Sequence, residues 1–216
     1  SGRITRMLVA DVSGHGSKVA ETATRLRQLM RRFVNHLDQR RFIAALNNEF
    51  GQLSQDGRFA TAVALTFFGP TRTLTISNAG HPPPMLYRAK PRRWQIVTPE
   101  TMASDKPTRP NVHKSPAAGG GDDVSETDGP ANLPLGILDA PRYDALSLKL
   151  AVGDLVLCYT DSLIESHGRD GRMLGAAGLL ETLQRIEMDD PSQFIATLLQ
   201  TIADEAPGNL TQDDVA

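Results

Sequence analysis

Two helical patterns, a long series of β-type runs and two further helical patterns follow one another along this sequence. That order predicts an α+β fold of packed layers with mostly antiparallel sheets. A parallel, doubly wound fold would need strand and helix to alternate throughout, and here they do not. Hairpin chemistry points the same way: ATAVALTFF (60–68) and RTLTISNAG (72–80) are joined by a Gly69-Pro70 turn.

The first run, ITRMLVA (4–10), reads as a strand that becomes buried toward its end. From Ser17 the pattern turns helical, with Val19, Ala23, Leu26, Met30, Phe33 and Leu37 recurring at alternating spacings of four and three. Asp38 fits as N-cap of a second helix, which places Phe42, Leu46, Phe50 and Leu53 on one face. After the hairpin, MLYRA and WQIVT add two strands, broken at Lys90-Pro91. Residues 98–132 are rich in Pro, Gly, Ser and Asp and poor in large apolar side chains. Such a segment cannot bury enough surface to offset its ordering entropy, so a mobile insertion open to proteolysis is expected there. ALSLKLAVGDLVLCYTD then gives two strands around a Val-Gly-Asp turn. GLLETLQRI forms a helix with Leu179, Leu183 and Ile186 on one side. A last helix opens at Asp190-Pro191, with Asp as N-cap and Pro at the first helical position, and turns Phe194, Leu198 and Ile202 inward.

Composition narrows the function classes. Lys+Arg 23 against Asp+Glu 25 leaves a net charge of -2, so there is no global basic field for nucleic acid. The arginines at 25, 27, 31, 32, 40 and 41 fall mostly opposite the apolar stripe and read as a solvated helix face. No apolar run approaches the roughly 20 residues that span a bilayer, so no membrane contact is expected of this domain. Cys158 is the only cysteine, which excludes an intrachain disulfide and favours a reducing, cytoplasmic setting.

Three aspartates sit where strands end. Asp11 follows MLVA and precedes a turn marked by Gly14 and Gly16; Asp161 follows LVLCYT; Asp213 lies in TQDD, before a Val215 that would open a further strand. Singly, each is better explained as a turn cap. Together they suggest carboxylates that a sheet edge gathers, and such a cluster persists only when a cation neutralises it. Oxygen donors favour Mg²⁺ or Mn²⁺, and the chain holds no His/Cys set with zinc spacing. Other phosphate chemistries lack their signatures. A cysteine nucleophile at Cys158 would want Arg six positions on, where Ile164 stands; an aspartyl nucleophile at Asp11 would want Asp at Ser13; and there is no GxxxxGK[ST]. Asn78, Gly80 and His81, ahead of three prolines, describe a strand that ends in a rigid turn.

ADVSGHG, FATAVAL, NAGHPPPML, LPLGI, YTDSLIES and TQDDVA stand in this order along nearly the whole chain outside 98–132. In that order they resemble bacterial PP2C-like serine/threonine phosphatases of the SpoIIE/RsbU type. The resemblance implies a PP2C-like β-sandwich flanked by antiparallel helix pairs, and hydrolysis of phosphoserine or phosphothreonine by water activated at two Mn²⁺ or Mg²⁺ ions. It assigns Asp11 to bridging the metals, the Val12 carbonyl to one of them, and Asp161 and Asp213 to completing the ligands; Gly14, Asn78, Gly80, His81 and Asp214 are motif residues near the site. Ser162 stands where the family more often has Gly, a change expected to be tolerated. The implied substrate is a phosphorylated, anti-anti-sigma-type regulatory protein, with a homodimer through the first helix pair and attachment to a sensor domain as further expectations. The family normally opens with a strand carrying Gly-Gly-Asp and closes with strands beyond TQDD, so residues 1–216 read as one domain cut short at both ends. The competing expectation is a pseudophosphatase, a binding module that keeps the fold without turnover.

Overall fold

The computed structural model describes residues 3–14, 17–53, 57–104, 132–139, 141–206 and 209–210. In chain order its strands are β1 (Ile4–Val12), β2 (Ala60–Phe68), β3 (Thr73–Ala79), β4 (Met85–Arg88), β5 (Arg93–Ile96), β6 (Leu146–Lys149) and β7 (Leu155–Leu157). Its helices are α1 (Ser17–Phe33), α2 (Gln39–Leu53), α3 (Pro99–Ser104), α4 (Asp161–Glu165), α5 (Gly175–Arg185) and α6 (Phe194–Glu205). The strands form a four-stranded sheet in the order β1-β2-β3-β6 and a three-stranded sheet in the order β5-β4-β7, antiparallel throughout.

Period-two alternation sorts the β2 side chains onto two faces. Ala60, Ala62 and Ala64 join Leu26, Leu29, Phe42, Ile43, Leu46 and Phe50 in a core between the larger sheet and the α1–α2 pair. Alanines on that face let α2 lie close and give its two phenylalanines room. The alternate residues Val63 and Leu65 meet Leu86, Val97 and Met102 in a second core between the two sheets. A third core lies on the outer face of the smaller sheet, where Met85, Tyr87 and Trp94 pack on Leu179, Leu183, Phe194, Leu198 and Ile202. Four layers result, helix–sheet–sheet–helix, as the α+β reading expects.

Asp38 caps α2 as its sequence position suggests: Oδ1 accepts the amide hydrogens of Arg40 and Arg41, at 2.8 and 3.1 Å. Other expectations need correction. On α1, Leu26 and Leu29 are buried and Met30 and Phe33 half-buried, whereas Ala23 is exposed and Leu37 lies past the helix end, 77% exposed. The buried face follows the helical period of 3.6, which drifts away from a stripe read at near 3.5. Asp190 caps a turn rather than α6: its Oδ1 accepts from the Ser192 amide and hydroxyl at 2.9 and 2.7 Å, and the helix begins at Phe194. The 98–132 insertion opens on α3, where buried Met102 pins the chain to the inter-sheet core. Residues 105–131 lie outside the described residues, and with them most of that expectation. The two strands around Val-Gly-Asp do not pair with one another, since β6 joins the larger sheet and β7 the smaller. Cys158, expected inside a strand, follows the end of β7.

Candidate active site

β1 runs out at Val12, and its side-chain parity decides where Asp11 points. Leu8 and Ala10 pack on the helix side and Val9 between the sheets, so Asp11 belongs to the inter-sheet face. In register it lies opposite Thr61 of β2. Directly opposed antiparallel residues project from the same face. Asp11 is exposed and Val12 buried, which puts the carboxylate at the mouth of the cleft with its neighbour anchored behind it.

Local hydrogen bonds hold that strand end. The Ser13 amide donates to the Phe59 carbonyl at 3.0 Å, and the Ser13 hydroxyl accepts from the Phe59 amide at 3.0 Å. Gly14 follows at φ +106°, a conformation that other L-residues rarely adopt, so the glycine expected beneath Asp11 is required there. Gly16 lies outside the described residues.

Asp161 reaches the same mouth from the other sheet. β7 leads through Tyr159 and Thr160 to Asp161, the first residue of α4. The Tyr159 hydroxyl donates to the Pro83 carbonyl at 2.9 Å, tying this crossing to the NAGHPPP turn. Thr160 and Ser162 share a hydroxyl–hydroxyl bond of 2.9 Å, both side chains buried. The Ser162 hydroxyl is thus satisfied.

His81 lies between the two carboxylate-bearing ends. Its ring is buried, with Nδ1 2.9 Å from the Thr61 hydroxyl. Nε2 is sealed from solvent and has no hydrogen-bond partner among the described residues. Burial pushes the imidazole below its ordinary pKa, against the opposing pull of the Tyr159 backbone and the Asp161 charge. Asn78 grips the turn twice: Nδ2 donates to the His81 carbonyl at 2.7 Å and Oδ1 accepts from the His81 amide at 2.8 Å. Gly80, at φ +67°, has Pro134 so close that a Cβ would come within 2.4 Å of the proline ring.

Asp11, Val12, Gly14, Asn78, Gly80, His81 and Asp161 therefore gather at one end of the sandwich; Asp213 and Asp214 lie outside the described residues. Sequence reasoning overlooked Thr61, whose role depends on strand register. It also gave no role to LPLGI, which docks beside the site through Ala60–Leu135 backbone bonds of 3.0 and 2.7 Å. Buried Asn47 of α2 fastens the same motif, accepting from the Gly136 amide at 2.9 Å and donating to the Leu138 carbonyl at 3.0 Å.

Among the described residues, no group of three or more His, Cys, Asp or Glu side chains is placed to hold a metal. The donors that do stand at the mouth, the carboxylates of Asp11 and Asp161, are hard oxygen ligands that fit Mg²⁺ or Mn²⁺. Cys158, the chain's only cysteine, packs against the inter-sheet core, and burial pushes its thiol up to about 12. No helix among the described residues is long and apolar enough to cross a membrane.

Known proteins with this architecture include the RsbU and RsbW domains of a Mycobacterium tuberculosis protein, 22% identical with a TM-score of 0.70 over 99% of this chain and 50% of that one. The PP2C phosphatase domain of SpoIIE from Bacillus subtilis, solved with a fragment of its regulatory domain, is 14% identical with a TM-score of 0.69, over 99% of this chain and 53% of that one. The SiaA-PP2C domain of Pseudomonas aeruginosa is 14% identical with a TM-score of 0.70, covering 100% of this chain and 74% of that one. These likenesses establish the PP2C-like fold. The chain spans about half the length of the first two. No curated protein sequence matches it closely enough to count as a relative. The family described as Stage II sporulation protein E (SpoIIE) matches residues 1–106 and 111–216, and the chain belongs to that family.

Proposed function

We propose that this domain is a metal-dependent protein phosphatase that hydrolyses phosphoserine or phosphothreonine on a regulatory protein. The reading is supported by Asp11 at the exposed end of β1 and by Asp161 at the start of α4, just past β7 of the other sheet, in a chain of the SpoIIE family. Asp11, the Val12 carbonyl, Asp161 and Asp213 would hold two Mn²⁺ or Mg²⁺ ions. When bound, such ions supply Lewis acidity that lowers the pKa of a water molecule and offset charge on the phosphoryl oxygens.

The protein's own groups do the rest. The Ser13–Phe59 bonds keep Asp11 aimed at the cleft, and the Tyr159–Pro83 bond holds the segment that delivers Asp161. In-line displacement of a phosphate ester by water needs positioning and charge neutralisation rather than a covalent intermediate. Cys158, half-buried and with its thiol pushed up to about 12, is no rival nucleophile. The substrate we propose is a small anti-anti-sigma-type regulator, with this domain joined to a sensor in a larger signalling protein and pairing through α1 and α2.

Hydrolysis of p-nitrophenyl phosphate and of a phosphoserine peptide tests the reading. Turnover with Mn²⁺ that chelator abolishes is the expected result. Metal-independent turnover, or none with Mn²⁺ present, overturns it, and the second outcome would indicate a binding module.

A further inference from the structure

A series of hydrogen bonds and chain links runs from the strand end that carries Asp11 to the segment that delivers Asp161. Thr61 is the register partner of Asp11. Its hydroxyl bonds His81 Nδ1 at 2.9 Å. The His81 backbone is clamped by both side-chain atoms of Asn78, and Gly80 is pressed on Pro134. Two residues beyond His81, the Pro83 carbonyl accepts from the Tyr159 hydroxyl, and Asp161 follows two residues after Tyr159. The buried ring thus links β2, whose Thr61 lies opposite Asp11, to the turn on which the segment before Asp161 is tied.

We infer that His81 is a positioning residue which, through Thr61, fixes the spacing of Asp11 and Asp161 across the inter-sheet cleft and so sets how tightly that cleft holds divalent cations. This rests on the metal-dependent reading above. A hydrogen-bonded ring is a stiffer spacer than an apolar side chain of like volume, because Nδ1 allows one orientation toward Thr61. Partners of this kind behind metal ligands change affinity by about 10- to 100-fold when removed.

The test is Mn²⁺ binding by titration calorimetry on the 216-residue chain and its variants, beside thermal unfolding without metal and turnover at saturating Mn²⁺. Thr61→Val keeps shape and removes the hydroxyl; His81→Leu removes both ring nitrogens; His81→Asn restores a polar atom near the Nδ1 position. Thr61→Val and His81→Leu should each weaken Mn²⁺ binding by about tenfold or more, and His81→Asn should stay within a few-fold of the parent. The Thr61→Val/His81→Leu double variant should be no weaker than His81→Leu alone, since one link is cut in both. Saturating Mn²⁺ should return most of the turnover. If His81→Leu fails to fold, the near-isosteric Thr61→Val decides. Unchanged Mn²⁺ affinity in Thr61→Val, or additive losses in the double variant, overturns the inference. A parent chain that binds Mn²⁺ but hydrolyses nothing sinks the phosphatase reading and leaves the spacer intact; one that binds no Mn²⁺ sinks both.

Discussion

At the scale of single residues, charge at the cleft mouth is the most consequential feature. If Asp161 holds metal as proposed, Asp161→Asn removes one anionic ligand and one source of carboxylate repulsion, so metal-dependent turnover should be lost while the metal-free protein melts no lower than the parent. Calorimetric unfolding beside the phosphatase assay checks both halves. Gly80 presents a backbone problem instead. Alanine there would meet a left-handed φ and the Pro134 ring together, a cost of about 3 kcal/mol in urea unfolding. Cys158 offers a simpler check. With its thiol pushed up to about 12, it should resist a thiol reagent at pH 8 in the folded protein and react at once in denaturant.

Among the elements, α2 shows how local chemistry and packing agree. Its N-terminus is closed by Asp38, and one face carries Phe42, Leu46 and Phe50 into the core. The Arg41 amide, joined by the Arg40 amide and both guanidinium charges, holds the Asp38 carboxyl below its ordinary pKa against the opposing effect of burial. A depressed folded-state value stabilises above the unfolded pKa of about 4 and is lost as pH falls through the folded value. Asp38→Ala should therefore cost about 1 kcal/mol at neutral pH, with the difference from the parent shrinking toward zero in acid. Urea unfolding at several pH values measures it. Caps of this kind are legible in sequence because donor and acceptor lie within one turn. The same logic misplaced the start of α6, since Asp190 satisfies Ser192 in a turn that precedes the helix. Asp-Pro marks where a turn begins, and tertiary packing of Phe194 decides where the helix does.

For the whole molecule, the connection from β6 to β7 is one of three joints among the described strands, with β3 to β4 and β5 to β6, that carry the chain from one sheet to the other. Asp154 holds it. Oδ2 accepts from the Ala151 amide and pairs with Arg88, each at 2.9 Å, Oδ1 accepts from the Ala89 amide at 2.9 Å, and Arg88 also donates to the Lys149 carbonyl at 2.8 Å. Burial acts to raise the Asp154 pKa, but the Ala151 and Ala89 amides and the Arg88 guanidinium outweigh it and leave the carboxyl below its usual range. Its stabilisation is complete above about pH 4 and disappears as pH drops through the folded-state value. Asp154→Ala should cost about 3 kcal/mol at pH 7 and flatten the acid limb of the stability–pH curve. A variant with the parent's acid limb would place the acid sensitivity elsewhere.

The amino-acid sequence by itself determined the order of elements, the α2 cap, the β2–β3 hairpin and the types of residue at the strand ends. These follow from periodicity and turn chemistry, which act over a few neighbouring residues. The motif series also carried the family. What tertiary structure alone decided was pairing: that β6 and β7 part to different sheets, that Thr61 faces Asp11, and that Thr61 bonds His81. Register and sheet assignment depend on cores assembled from residues far apart in the chain, and a one-residue slip of β1 would turn Asp11 to the helix face. Chemistry was written along the chain, and its convergence came from packing two sheets face to face.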